Sequence, residues 1–210
     1  MGLQGEGVYN PPPGLYQPPI SGKFYQGIAE WATANGLLGD SVNGAITAMP
    51  WYMPIGFSFQ AVAINVSTAG AAGSLIRLGA YRDTGAVFPD FASGNGLLFD
   101  WGTVTSSATG VQTITTSGQL PTGWCWLVAA LQGDPASAPK VYGPGSLILP
   151  INGLGADTAA PTLGGTTSNS TGYKQLGATS NVTGAFPTTI PGTLIAAGQT
   201  AVAMIILQAT

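Results

Sequence analysis

The stretch Phe57-Ser58-Phe59-Gln60-Ala61-Val62-Ala63-Ile64-Asn65-Val66 decides the fold. Its large apolar residues alternate with small or polar ones, the period of a strand with one face on a core. The phase changes once. Phe57 and Phe59 stand at odd positions, whereas Val62, Ile64 and Val66 stand at even ones. A strand that keeps one buried face through such a change needs a bulge or bend, which places an irregularity near Gln60-Ala61.

The same grammar runs outward from this stretch. A Gly-rich turn, Ala69 to Gly73, leads to Leu75–Tyr81, and a longer loop with Pro89 and Gly94 leads to Leu97–Val104. Val111–Thr116 follows, and then Trp124–Leu131, which is apolar on both faces and reads as a central strand. Ser146–Leu149 and Ala201–Leu207 have the same character. Many short strands separated by Gly, Pro and Asn turns predict an all-β domain, a jelly-roll-like β-sandwich over residues 50–210. Residues 152–192, rich in Gly, Thr, Ser and Asn, read as either a set of long surface loops or a partly ordered insertion within it.

Residues 1–49 differ. Pro11-Pro12-Pro13 and Pro18-Pro19, with Gly at positions 2, 5, 7, 14 and 22, predict an extended arm, because proline fixes φ and removes amide donors. Tyr9, Leu15, Tyr16 and Ile20 punctuate this arm and suit docking on a neighbouring subunit. The spacing of Phe24, Ile28, Trp31 and Leu38 allows one short helix over residues 24–38, weakened by Gly27 and Gly36.

Composition narrows function. Charged residues make up 6% of the 210, against about 25% in ordinary soluble domains. A surface so poor in charge has little protection against self-association, so neighbours are expected to cover much of it. Five basic residues and a net charge of −3 leave no phosphate-neutralising track, which excludes a nucleic-acid partner. Met1 to Ile20 lacks the basic and apolar regions of a secretory signal. The longest apolar run, Trp124–Leu131, falls far short of the ~20 residues of a membrane helix, so no membrane insertion is expected.

Chemistry is equally constrained. The chain has no His and one cysteine, Cys125, which reads as a buried small hydrophobe. Histidine-based nucleophilic triads and zinc clusters are therefore ruled out, and no cofactor or metal is expected. Asp83, Asp90 and Asp100 are the one conceivable carboxylate set for glycoside hydrolysis, but they read better as turn-stabilising residues or partners of Arg77 and Arg82. The chain is expected to be no enzyme. Among the aromatics, Trp124 and Trp126 share one strand face and belong to packing, whereas Trp51, Tyr52 and Trp101 lie near loops; core packing or a subunit contact is their first reading, and stacking on a saccharide is the alternative.

Several segments resemble a module of bacteriophage tail-fibre and minor tail proteins. They are Phe59–Val66, Arg77-Leu78-Gly79-Ala80-Tyr81, Asp100-Trp101-Gly102-Thr103-Val104, Gly110–Thr115 and Gly123-Trp124-Cys125-Trp126-Leu127. The resemblance covers roughly residues 50–133 and, more loosely, the last strand. It implies a structural virion protein of a tailed phage, assembled in the host cytoplasm. Such a subunit is expected to contact copies of itself, with three-fold symmetry first, other virion proteins, and saccharide on the host surface. Capsid decoration and a non-catalytic carbohydrate-binding module are the alternatives.

Overall fold

A computed structural model describes residues 19–26, 32–37, 43–44, 46–53, 55–83, 96–133, 136–144, 173–175, 182–188, 195–197 and 203–210. Twelve strands occur among them: β1 (Phe24–Gln26), β2 (Ala32–Leu37), β3 (Ile46–Met53), β4 (Phe57–Thr68), β5 (Leu75–Arg82), β6 (Leu97–Thr105), β7 (Gly110–Leu120), β8 (Gly123–Gln132), β9 (Lys140–Pro144), β10 (Tyr173–Gln175), β11 (Ile195–Ala197) and β12 (Ile206–Ala209). They form two antiparallel sheets. One runs β1-β12-β4-β9-β2, with β7 also paired to β4; the other runs β11-β10-β3-β8-β5-β6. The described chain is an all-β sandwich, as the alternating pattern predicted.

The core lies between the sheets. Phe57, Phe59, Val62, Ile64 and Val66 of β4 meet Met49, Trp51 and Met53 of β3, Ile76, Leu78 and Ala80 of β5, and Leu127, Ala129 and Leu131 of β8. Aromatic edges join the layers: Trp51 lies 5.3 Å from Phe57, and Phe59 lies 5.6 Å from Trp101. The change of phase at Gln60 has its physical counterpart. Phe59 pairs with Gly118 and Ala61 with Thr115, so β7 carries an extra residue there. On the other side of β4, Ala61 pairs with Gln208 and Phe59 with Ala209, so there Gln60 is the extra residue.

Three expectations change. The helix allowed over residues 24–38 is absent from its described parts, which are β1 and β2. β1 pairs with β12 and β2 with β9, and these tertiary ladders override a weak, Gly-interrupted helical period. The strand region begins before Pro50, because β3 starts at Ile46 and carries Pro50 within it. β10 pairs β3 only at Thr47 and Ala48, so at Pro50, which pairs with Trp126 of β8, β3 has one described neighbour, and proline is tolerated at such an edge. Residues 152–192 are not surface loops throughout: 173–175 form β10, and Val182 and Phe186 are buried. The expected strand at Ser146–Leu149 lies outside the described residues. No helix among the described residues is long and apolar enough to cross a membrane.

Candidate functional site

β8 is buried along nearly its whole length because it lies between β3 and β5 and is covered on both faces. Its second apolar face, Trp126, Val128 and Ala130, joins Ile46 and Ala48 of β3 and Tyr81 of β5 in a separate cluster. Residues 182–188 close that cluster from outside with Val182 and Phe186. This covered outer face gathers a connected set of polar side-chain contacts.

At its centre Arg77 and Asp100 form a two-pronged ion pair. Arg77 Nε donates to Asp100 Oδ1 and Nη2 to Oδ2, each at 2.8 Å. Both side chains are more than four-fifths buried. The same carboxylate accepts the Phe186 backbone N–H at 2.9 Å and the Gly102 N–H at 3.2 Å. Gly102 has φ +89°, the left-handed conformation of a bulge that turns Asp100 toward Arg77.

Residues 182–188, a strap over this face, are tied down along their length. Gln132 Nε2 donates to the Val182 carbonyl and, at 2.8 Å, to that of Gly184. Val182 N–H donates to the Gly44 carbonyl at 2.9 Å, and Leu97 N–H to that of Thr188 at 3.2 Å. Tyr81 donates its hydroxyl to the Pro187 carbonyl. Burial, and then the Asp100 charge, push the Tyr81 phenol well above its usual range. The Arg77 guanidinium carbon lies 5.9 Å from the Phe186 ring centre, a cation–π contact.

Of the expected carboxylate set, Asp100 is occupied by Arg77, Gly102 and Phe186, and Asp83 accepts the Trp126 indole N–H at 2.8 Å. Asp90 lies outside the described residues. Burial first of all raises the Cys125 thiol from 9.0 to about 11, so it stays protonated at neutral pH. No group of three or more metal-ligating side chains occurs among the described residues. The arrangement has the character of a structural lock, with its donors and acceptors turned on one another.

The saccharide candidates separate. Trp51 and Trp101 are 6% and 9% exposed and cannot present a ring face to a sugar. Both alternate inward, Trp51 on β3 and Trp101 on β6, and join the core between the sheets. Tyr52 points the other way and is 42% exposed. Its ring lies 5.1 Å from that of its cross-strand partner Trp124, which is half-buried. Of the arm candidates, Tyr9, Leu15 and Tyr16 lie outside the described residues, whereas Ile20 is exposed. The chain just after Ile20 is held by its own domain, with Gly22 N–H on the Ala209 carbonyl at 2.9 Å.

The reading of the sequence missed Tyr81, Gln132 and Phe186 as partners. A signal was there: β8 is apolar on both faces, so its outer face required a cover, and Phe186 is one of two aromatics in 152–192. Compared with family models, with curated proteins and with solved structures, the chain has no match in any of the three.

Proposed function

We propose that this chain is a structural subunit of a tailed-bacteriophage particle, of the minor tail or tail-fibre kind, assembled in the host cytoplasm. It acts by contact: with copies of itself, with other virion proteins and with the host surface. One observation carries this reading. The segments that resemble the tail module fall on the consecutive strands β4 to β8 of one sandwich, and two of them are joined by the Arg77–Asp100 pair. Motif residues that lock a fold, rather than line a cleft, fit a protein whose role is to be a rigid building block. The scarcity of charge supports it further, since a surface meant to be covered by neighbours needs little charge for solubility.

In this reading the sandwich is of jelly-roll type. Host contact falls to Tyr52, whose exposed aromatic ring suits stacking on the apolar face of a sugar, and to residues within 152–192. The experiment is a nonsense mutation in the gene, with the particles then purified and their adsorption measured. Particles with incomplete tails, or complete particles that fail to adsorb, are expected. Intact particles with normal adsorption would overturn the tail reading, and fragile capsids with normal tails would replace it with capsid decoration.

A further inference from the structure

β7 is a long strand with one described neighbour. It runs eleven residues and pairs with β4 alone among the described residues. Proteins usually guard such an edge with lysine, proline, an inward charge or a bulge, because its unpaired N–H and C=O groups are a template for another strand. From Gly110 to Leu120 there is no charged residue and no proline. The register irregularity is confined to the segment between Thr115 and Gly118, leaving Gly110–Thr115 regular against β4. Val111, at 61%, is the most exposed of the large apolar side chains among the described residues.

We infer that β7 is a subunit interface, and that its occupant is β7 of a second copy of this chain. Self-pairing carries no electrostatic penalty here, because the strand has no charge to repel its copy. A two-fold axis perpendicular to the sheet makes the pairing antiparallel and keeps outer face beside outer face. Centred on Thr113, the register sets Thr113 against its own copy, Val111 against Thr115, and Ile114 against Gln112. Each exposed β-branched side chain then gains a cross-strand partner, and Val111 loses its exposure. The sheet of each copy becomes one sheet running across the axis.

The area suits a weak, reversible dimer. Among the described residues β6 is the edge of the second sheet and lies on the same flank, as the contact of Phe99 with Phe59 beneath β7 shows. In this register residues 110–116 of each copy overlap and rise about 23 Å, and two sheets ~10 Å apart give a flank about 20 Å wide, hence about 460 Å² per partner. Stable specific interfaces bury about 600–1,000 Å² per partner, so this one has the size of a transient contact. The inference rests on the edge itself and is independent of the virion reading.

The test uses the full-length chain. Sedimentation velocity over a range of concentrations should show a monomer–dimer equilibrium. Thr113→Lys sets two like charges opposite each other on the axis and should raise the dissociation constant about fivefold or more, while Ser137→Lys, in an exposed loop, should not. Circular dichroism checks that each variant keeps its fold. Should Thr113→Lys fail to fold, Thr113→Cys decides. Opposed residues in antiparallel strands lie at a Cα separation that a disulfide spans, and Cys125 is buried. Oxidation should therefore give a covalent dimer for Thr113→Cys and none for Ser137→Cys. A monomer at every concentration, a trimer, or the absence of a cross-link in a folded Thr113→Cys variant would overturn the inference.

Discussion

The Phe186 ring lies directly against Gly79. A Cβ on Gly79 would stand 2.8 Å from two ring carbons of Phe186 and 2.7 Å from the Phe99 carbonyl oxygen. The absence of a side chain at one strand position thus makes the seat for the aromatic that closes the outer face of the second sheet. Gly79 needs no unusual backbone angle for this role; its contribution is space.

The first prediction concerns that seat. Gly79→Ala should destabilise the fold by about 1–3 kcal/mol, because both the ring and a backbone carbonyl must give way. Urea unfolding followed by tryptophan fluorescence measures it. Unchanged stability would mean that Phe186 does not occupy the seat.

The second concerns Asp100. Asp100→Ala leaves the Arg77 guanidinium largely buried without its acceptor, and the Phe186 N–H loses its partner too. A loss of about 3 kcal/mol is expected. In a double-mutant cycle, Arg77→Met with Asp100→Ala should cost clearly less than the sum of the single changes. Additive losses would show that the two side chains do not interact.

Gln132→Ala supplies a third test, of the strap. Two carbonyls, those of Val182 and Gly184, lose a shared donor. A cost of about 1–2 kcal/mol is expected, chiefly for the buried Val182 acceptor, since Gly184 is exposed to water. Hydrogen exchange should accelerate in residues 182–188 while the centre of β8 stays protected. Equal acceleration in both would mean that strap and sheet open as one unit.

The fourth concerns Cys125. Its thiol is raised in the folded chain from 9.0 to about 11, so between those values the unfolded chain is deprotonated and the folded chain is not. Folding stability contributed by this group is full below about pH 9 and is lost as pH rises toward 11. Compared with the Cys125→Ala variant, the wild-type chain should lose more stability across that window. A thiol reagent at neutral pH should leave the folded chain unmodified and label it once when it is unfolded. Identical pH profiles, or labelling of the folded chain, would contradict the buried thiol.

Much of this architecture could be read from residue periodicity, and the failures have physical causes. The alternation in Phe57–Val66 located β4 and its irregularity, since a phase change in a half-buried strand has few other meanings. The two-faced apolar run of β8 marked a central strand for the same reason. Proline hid the start of β3: Pro50 reads as a boundary, yet it is tolerated where β10 no longer pairs. Trp51 and Trp101 could not be told apart from Tyr52 because nearness to a loop in sequence does not fix the direction of a side chain; alternation along β3 and β6 puts the two tryptophans in the core. The need for a cover over β8 was legible, but the course of the strap was not. Residues 182–188 are held mainly through their backbone groups, and backbone acceptors leave no mark on composition or period.

The most direct test of the virion reading is the position of the chain on the particle. Antibodies raised against the purified domain should be applied with gold label to intact phage particles released by cells that carry the gene, under the electron microscope. Label at the tail tip or fibres is the predicted result. Label over the capsid would contradict the tail assignment and favour decoration, and particles without label, when the denatured particles also lack the chain, would contradict a virion role altogether.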